Sequence, residues 1–146
     1  MSRMKKILVA YDGSPHSQQA LNWAIDLSLL SDAHVVAVKV FEGSQFLIAS
    51  DTTAHKVVET LERLRREDQE LLDEAVAIGK NRGVTVVGES LHGNIAEQII
   101  IYAREHGFDL IVVGTKGHGV LEELLMGSVT RNLISLAHIP VLVVKD

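Results

Sequence analysis

The residues best suited to chemistry lie in the last third of the chain. Gly114-Thr115-Lys116-Gly117-His118-Gly119 is followed, eight positions on, by Gly127-Ser128-Val129-Thr130-Arg131. Glycine lets a backbone approach a ligand closely and adopt positive φ without a Cβ clash. An apolar run, Leu110 to Val113, precedes the array and an amphipathic stretch follows it, so the order reads strand, glycine loop, second glycine turn, helix. The N–H groups at a helix start have no partner within the helix and point toward negative charge. Together these features make an anion cradle, with phosphate as its natural guest. The spacing is not that of a Walker A loop, which closes on Gly-Lys-Ser/Thr, because Lys116 comes before Gly117. Nor is it the dinucleotide fingerprint, whose glycines stand first, third and sixth: Gly114, Gly117 and Gly119 stand first, fourth and sixth.

Further groups converge on such a cradle. Ser128 and Thr130 offer hydroxyls, and the dipole of a helix beginning there adds ~0.3 to 1 kcal/mol for an anion. Ser128 also reads as a plain N-cap, and the two roles can coexist. Lys116, a point charge, and His118, a pH-dependent one, are of the types that reach phosphates, although loop residues of this kind are often simply solvated. Asp12 ends the apolar run from Ile7 to Ala10 and opens the turn Asp12-Gly13-Ser14-Pro15. Its carboxylate suits ribose or adenine donors, or a metal held through water; the alternative is a turn-forming Asp that accepts nearby backbone N–H groups. The seven histidines form no HxxxH or Glu-x-x-His pair, so a structural metal is not expected.

These loops need a scaffold, and the sequence spells one. Ile7 to Ala10 is a short apolar strand; Ser14 is an N-cap with Pro15 at the first helical position, and Ala20, Leu21, Ala24, Leu27 and Ser28 repeat at helical spacing. Val35 to Phe41 is a second, β-branched strand. Residues 42 to 53 show no period. A long helix then carries Val57, Leu61, Leu64, Leu71, Ala75 and Ile78 on one stripe, interrupted by Asp68, and ends near Gly83. Its mixed charges from Glu62 to Glu70 read as a solvated face with i,i+4 pairs rather than a binding patch. Val84 to Val87 begins a third strand, Ile95 to His106 is a third helix, and Leu110 to Val113 a fourth strand. Val129 to Ala137 is a fourth helix and Pro140 to Val144 a fifth strand. Strict alternation implies right-handed crossovers and an α/β fold: a five-stranded, mostly parallel sheet with helices on both faces, flavodoxin- or Rossmann-like. By analogy with that class the order is 3-2-1-4-5, which sets the first and fourth strands side by side with both loops on the ligand crevice.

At 146 residues the chain is about one domain, and 1–146 reads as a single unit without linker or repeat. With 47% hydrophobic and 23% charged residues it is an ordinary globular sequence. A net charge of −5 argues against binding nucleic acid or an anionic membrane, so any anion site must be local. The absence of cysteine removes disulfides and thiol chemistry, and the cytoplasm is the expected compartment. The N-terminus begins with basic residues, but its apolar run is too short for a signal peptide, and no run approaches transmembrane length.

The chain resembles universal stress proteins over essentially its whole length. The resemblance is carried by Lys6 to Ser14, Leu110 to Gly114, Leu124-Leu125-Met126-Gly127-Ser128-Val129-Thr130 and Pro140 to Val144. The pattern Gly114-x2-Gly117-x9-Gly127-Ser128 is the one by which nucleotide-binding members are recognised. The resemblance implies ATP in the cleft, or AMP or ADP, accompanied by Mg. It implies Asp12 near ribose and adenine, and near any Mg, with Ala10, Gly13 and Ser14 beside it and the Val40 backbone serving adenine. Gly114, Gly117, Gly127, Ser128 and Val129 would wrap the phosphates, with Thr115, Lys116, His118, Gly119 and Thr130 contributed by the same loops. Tyr11 stands where many members carry proline or a small residue and is expected to narrow or reshape the adenine side. The resemblance also implies a homodimer through Val141 to Val144, and an open apolar edge favours the same pairing.

The function implied is an ATP-binding stress-response regulatory protein, a nucleotide-dependent switch or sensor acting on an unidentified protein partner, with at most slow hydrolysis. No Walker Asp, catalytic-loop Asp or arginine finger is identifiable. The alternatives are an ATP-hydrolysing or nucleotidyl-transfer enzyme, whose Ser-Gly-Gly-x-Asp-Ser loop is only partly supplied by Asp12-Gly13-Ser14-Pro15-His16, and a nucleotide-free dimeric interaction module.

Overall fold

Strand β1 (Lys6–Ala10) carries Ile7, Leu8 and Val9 with no solvent exposure at all, a pattern that requires cover on both faces. The computed structural model describes residues 3–42, 54–116 and 126–145 and provides that cover. After β1 come α1 (Pro15–Ser31), β2 (His34–Phe41), α2 (Ala54–Asn81), β3 (Val86–His92) and α3 (Ile95–Glu105). β4 (Leu110–Gly114), α4 (Ser128–Leu136) and β5 (Val141–Val144) complete the order. The sheet runs β3-β2-β1-β4-β5 with every neighbouring pair parallel, which is the expected fold and order. β1 is central: Val9 is level with Ala37 of β2 on one side and Val112 of β4 on the other.

Strand alternation sorts the apolar residues into two cores. Ile7, Val9, Tyr11, Val35 and Ala37 pack with Leu21, Ala24, Leu72 and Ala75 of α1 and α2. Leu8, Val38, Val40, Ile111 and Val113 pack with Ile99, Ala103 and Leu133 of α3 and α4. Truncating a fully buried side chain such as Leu21 to Ala would cost about 2 to 5 kcal/mol in either layer.

Local signals set the helix starts. Ser14 caps α1, its Oγ accepting the Ser17 N–H at 3.2 Å, and Pro15 follows with its ring already at helical φ. Asn94 caps α3, its Oδ1 accepting from the Glu97 N–H at 3.1 Å. α1 ends where Asp32 turns left-handed at φ 62, its N–H reaching the Ser28 carbonyl at 2.8 Å.

Three details differ from expectation. β3 starts two residues late, at Val86, and continues through Gly88, Glu89 and Ser90 to His92. It is an edge strand, so half of it meets solvent and polar residues are tolerated. On α2 the fully buried leucine is Leu72, whereas Leu71 is only partly covered, and Asp68 is buried on the sheet-facing stripe. Its carboxylate lies 3.6 Å from the Lys39 ammonium of β2, which accounts for a charge in that position. Finally, α4 begins at Ser128 and its N-cap is Gly127, so Ser128 is not the cap. Residues 43–53, most of the stretch without a period, lie outside the described residues.

Candidate functional site

The carboxyl ends of β1 and β4 open on a cleft of about 300 Å³, a volume at the small end of those that hold small molecules. One wall is apolar, built by Val38 and Val40 of β2, Ile95 and Ile99 at the start of α3, Val113 and Val129. The other wall is polar, with Asp12, Ser14, Ser17, Lys116, Ser128 and Thr130, and the backbones of Gly114 and Gly127.

The polar wall is held by its own hydrogen bonds. Asp12 Oδ1 accepts the Ser14 N–H at 3.0 Å, so Asp12 is a turn-former as well as a cleft residue. Ser17 Oγ accepts the Asp12 N–H at 3.3 Å and donates to the Ser14 carbonyl at 3.0 Å, pinning the loop to the first turn of α1. At the end of β4, a Cβ on Gly114 would lie 2.7 to 2.9 Å from backbone and Cβ atoms of His16. Only glycine admits α1 this close to β4.

Beyond it, the buried Thr115 donates its N–H to the Val144 carbonyl at 3.1 Å and accepts the Gly127 N–H at 2.8 Å. Thr130 donates its hydroxyl to the Gly114 carbonyl at 2.7 Å. These bonds join β4, β5 and the start of α4 into one frame. Gly127 itself sits at φ −77, ψ 164, angles open to any residue. Backbone conformation therefore does not demand glycine there, although the residue lines the cleft. Having no side chain, Gly127 makes no cap bond to the N–H groups of the first turn of α4.

Most expected site residues meet here: Ala10, Asp12, Ser14, Val40, Gly114, Lys116, Gly127, Ser128, Val129 and Thr130 all line the cleft. Gly13 and Thr115 do not. Gly13, at φ 82, faces Leu71 of α2, and Thr115 is committed to the frame just described. Gly117, His118 and Gly119 lie outside the described residues. Tyr11 lines the cleft beside Asp12, but most of its side chain is committed elsewhere. Its ring belongs to the core under α1 and α2, and its hydroxyl donates to Glu74 Oε1 of α2 at 2.7 Å, away from the wall formed by Val38, Val40 and Ile99. Burial first, and then the bond to the Glu74 carboxylate, push the Tyr11 phenol well above its ordinary range.

Sequence reasoning missed Ser17, Val38, Lys39, Ile95, Ile99 and Val113. Signals for some were present. Val38 shares the face of Val40 by strand alternation, and Ile95 and Ile99 lie one turn apart at a helix start directed by the Asn94 cap. Lys39 bridges inward, its ammonium donating to the Val40 carbonyl at 3.2 Å while paired with Asp68. Asp12 is the one carboxylate on the cleft among the described residues, and those residues contain no cluster of three His, Cys, Asp or Glu able to hold a metal. No described helix is long and apolar enough to cross a membrane.

A five-stranded parallel α/β sheet with a half-apolar, half-polar cleft at its topological switch point defines a class of small-ligand domains. The universal stress protein family model matches residues 4–145, and the chain belongs to that family. It is 38% identical over 141 residues to universal stress protein MJ0531 of Methanocaldococcus jannaschii, covering 97% of this chain and 82% of that protein. Among solved structures it is similar to hypothetical protein MJ0577, with a TM-score of 0.85 and 28% identity, covering 99% and 98% of the two chains. A universal stress protein in complex with cAMP superposes with a TM-score of 0.73 at 23% identity, over 99% of this chain and 98% of that one. One from Archaeoglobus fulgidus in complex with dAMP gives 0.67 at 22%, over 98% of each.

Proposed function

We propose that this protein binds an adenine nucleotide in the cleft between β1 and β4, ATP with Mg being the leading candidate and AMP or ADP the alternatives, and that occupancy governs its conformation or its partner surface. The observation that carries this reading is Gly127. Its dihedrals suit any residue, yet a glycine stands at the N-cap of α4, whose first turn lines the cleft. A phosphate there would meet backbone donors and the positive end of the helix dipole, worth ~0.3 to 1 kcal/mol. Ser128 adds a hydroxyl and Lys116 a charge on the same wall.

The apolar wall from Val38 to Ile99 suits the faces of a base, and Asp12 between the two suits ribose hydroxyls or a hydrated Mg. The adenylates held by the family structures with cAMP and dAMP are consistent with this assignment. No described group stands as an in-line base or arginine finger, which favours a switch over rapid turnover. The same reading includes a homodimer through β5, the sheet edge, flanked by the exposed side chains of Ile134 and Leu136.

The test is mass spectrometry of ligand released on denaturing fresh protein, followed by calorimetric titration of the stripped protein with ATP and Mg. Co-purified adenylate or micromolar binding is the expected result; neither ligand nor binding, by calorimetry and a second assay, would overturn it.

A further inference from the structure

The loop that carries Asp12 is gripped from α1 and α2 by residues outside the cleft. Tyr11, just before Asp12, donates its hydroxyl to Glu74 Oε1 at 2.7 Å. The Gln18 side-chain amide donates to the same Glu74 oxygen at 3.2 Å and to the Gly13 carbonyl, just after Asp12, at 3.3 Å. One carboxylate oxygen on α2 thus gathers both flanks of Asp12. One turn earlier on the same helix, Leu71 closes against Gly13, so tightly that a Cβ there would come within 2.5 Å of Leu71 Cδ2. None of Gln18, Leu71 and Glu74 lines the cleft.

We propose that Glu74 is a positioning residue: through Tyr11 and Gln18 it fixes the Asp12–Ser14 loop in the shape that receives the ligand, and it couples that loop to α2. The proposal rests on the nucleotide reading above. A loop already held in its binding geometry loses less freedom when a ligand arrives, so releasing it weakens binding without removing any ligand contact. Charge predicts the opposite sign. The ligand is an anion, and deleting a nearby carboxylate would by itself favour it. Glu74→Gln removes the charge but keeps an acceptor oxygen for Tyr11; Glu74→Ala removes both.

The experiment measures the affinity for ATP with Mg, and the hydrogen exchange of the Gly13 and Ser14 amides without ligand, in the wild type, both Glu74 variants and Phe108→Leu. Phe108 is buried next to the opposite end of β4 and serves as a control for lowered stability. Glu74→Ala is expected to weaken binding about fivefold to tenfold and to speed exchange at both amides, while Glu74→Gln stays within about twofold and Phe108→Leu changes neither. Unchanged affinity in folded Glu74→Ala overturns the proposal, as does a Glu74→Gln variant equal to Glu74→Ala. If the wild type binds no adenylate, the nucleotide reading fails by itself. The exchange comparison then decides, and unchanged exchange in Glu74→Ala overturns the positioning role.

Discussion

At Gly127 a hydrogen atom stands where the backbone would accept any side chain, and this makes the residue a sharp probe. Gly127→Val should fold, because φ −77 and ψ 164 suit valine. It should also place a branched side chain at the polar wall and weaken ATP binding tenfold or more, about 1.4 kcal/mol, by calorimetry. Unaltered affinity in the folded variant would remove the cradle from the argument. Tyr11 makes a second prediction, about pH. Its folded-state pKa is raised above the ordinary value of 10.0, so the unfolded chain releases this proton first. The stability it contributes is therefore complete below pH 10 and is lost as pH rises above that value. Tyr11→Phe should unfold less steeply in that alkaline range than the wild type, whatever its stability at neutral pH, in denaturant titrations at a series of pH values.

The elements were legible to very different degrees. Ser14-Pro15 and the apolar repeat of α1 fixed that helix from sequence, and the structure places the cap where expected. Replacing Ser14 by Ala should cost about 1 kcal/mol, lowering Tm by about 3 °C in a calorimetric melt; no change would mean that Pro15 and Ser17 suffice. β3 was half legible, because its polar centre, Gly88 to Ser90, carries no apolar signal and is tolerated only at an edge, a property of the sheet rather than of the segment. Tyr11 lines the cleft as expected, yet its commitment to the core was not legible, for a related reason. The ring follows the alternation of Ile7 and Val9 into the α1 and α2 core, and a motif comparison that attends to neighbours of Asp12 overlooks that parity. Of the cleft, Gly114, Gly127 and Asp12 were legible because their types are unusual at strand ends and helix starts. The apolar wall was not, since Val38 and Ile99 look like any core residue until the sheet order puts them at its rim.

For the whole molecule, the remaining edge is β5. The Ile111 N–H bonds to the Pro140 carbonyl and the Thr115 N–H to the Val144 carbonyl, so the even-numbered positions of this strand serve β4. Alternation then turns the Val141 and Val143 N–H groups to the open side. Val143→Pro deletes one outward donor and spares the bonds to β4. It should shift a dimer toward monomer in sedimentation velocity while circular dichroism stays unchanged; a dimer that persists would place the contact elsewhere.

The central position of β1 has a further consequence, one of timing. Of the five strands of this sheet, β1 leaves the ribosome before the others, yet it is flanked by β2 and by β4, and Ile7 cannot meet Leu110 until some hundred residues more have been made. The β1-α1-β2-α2-β3 half can assemble early, leaving one side of β1 bare. That raw flank is an aggregation hazard and a natural place for a chaperone to bind. The cleft is then completed late, because about a third of its lining residues, from Gly114 to Thr130, are translated after Val113.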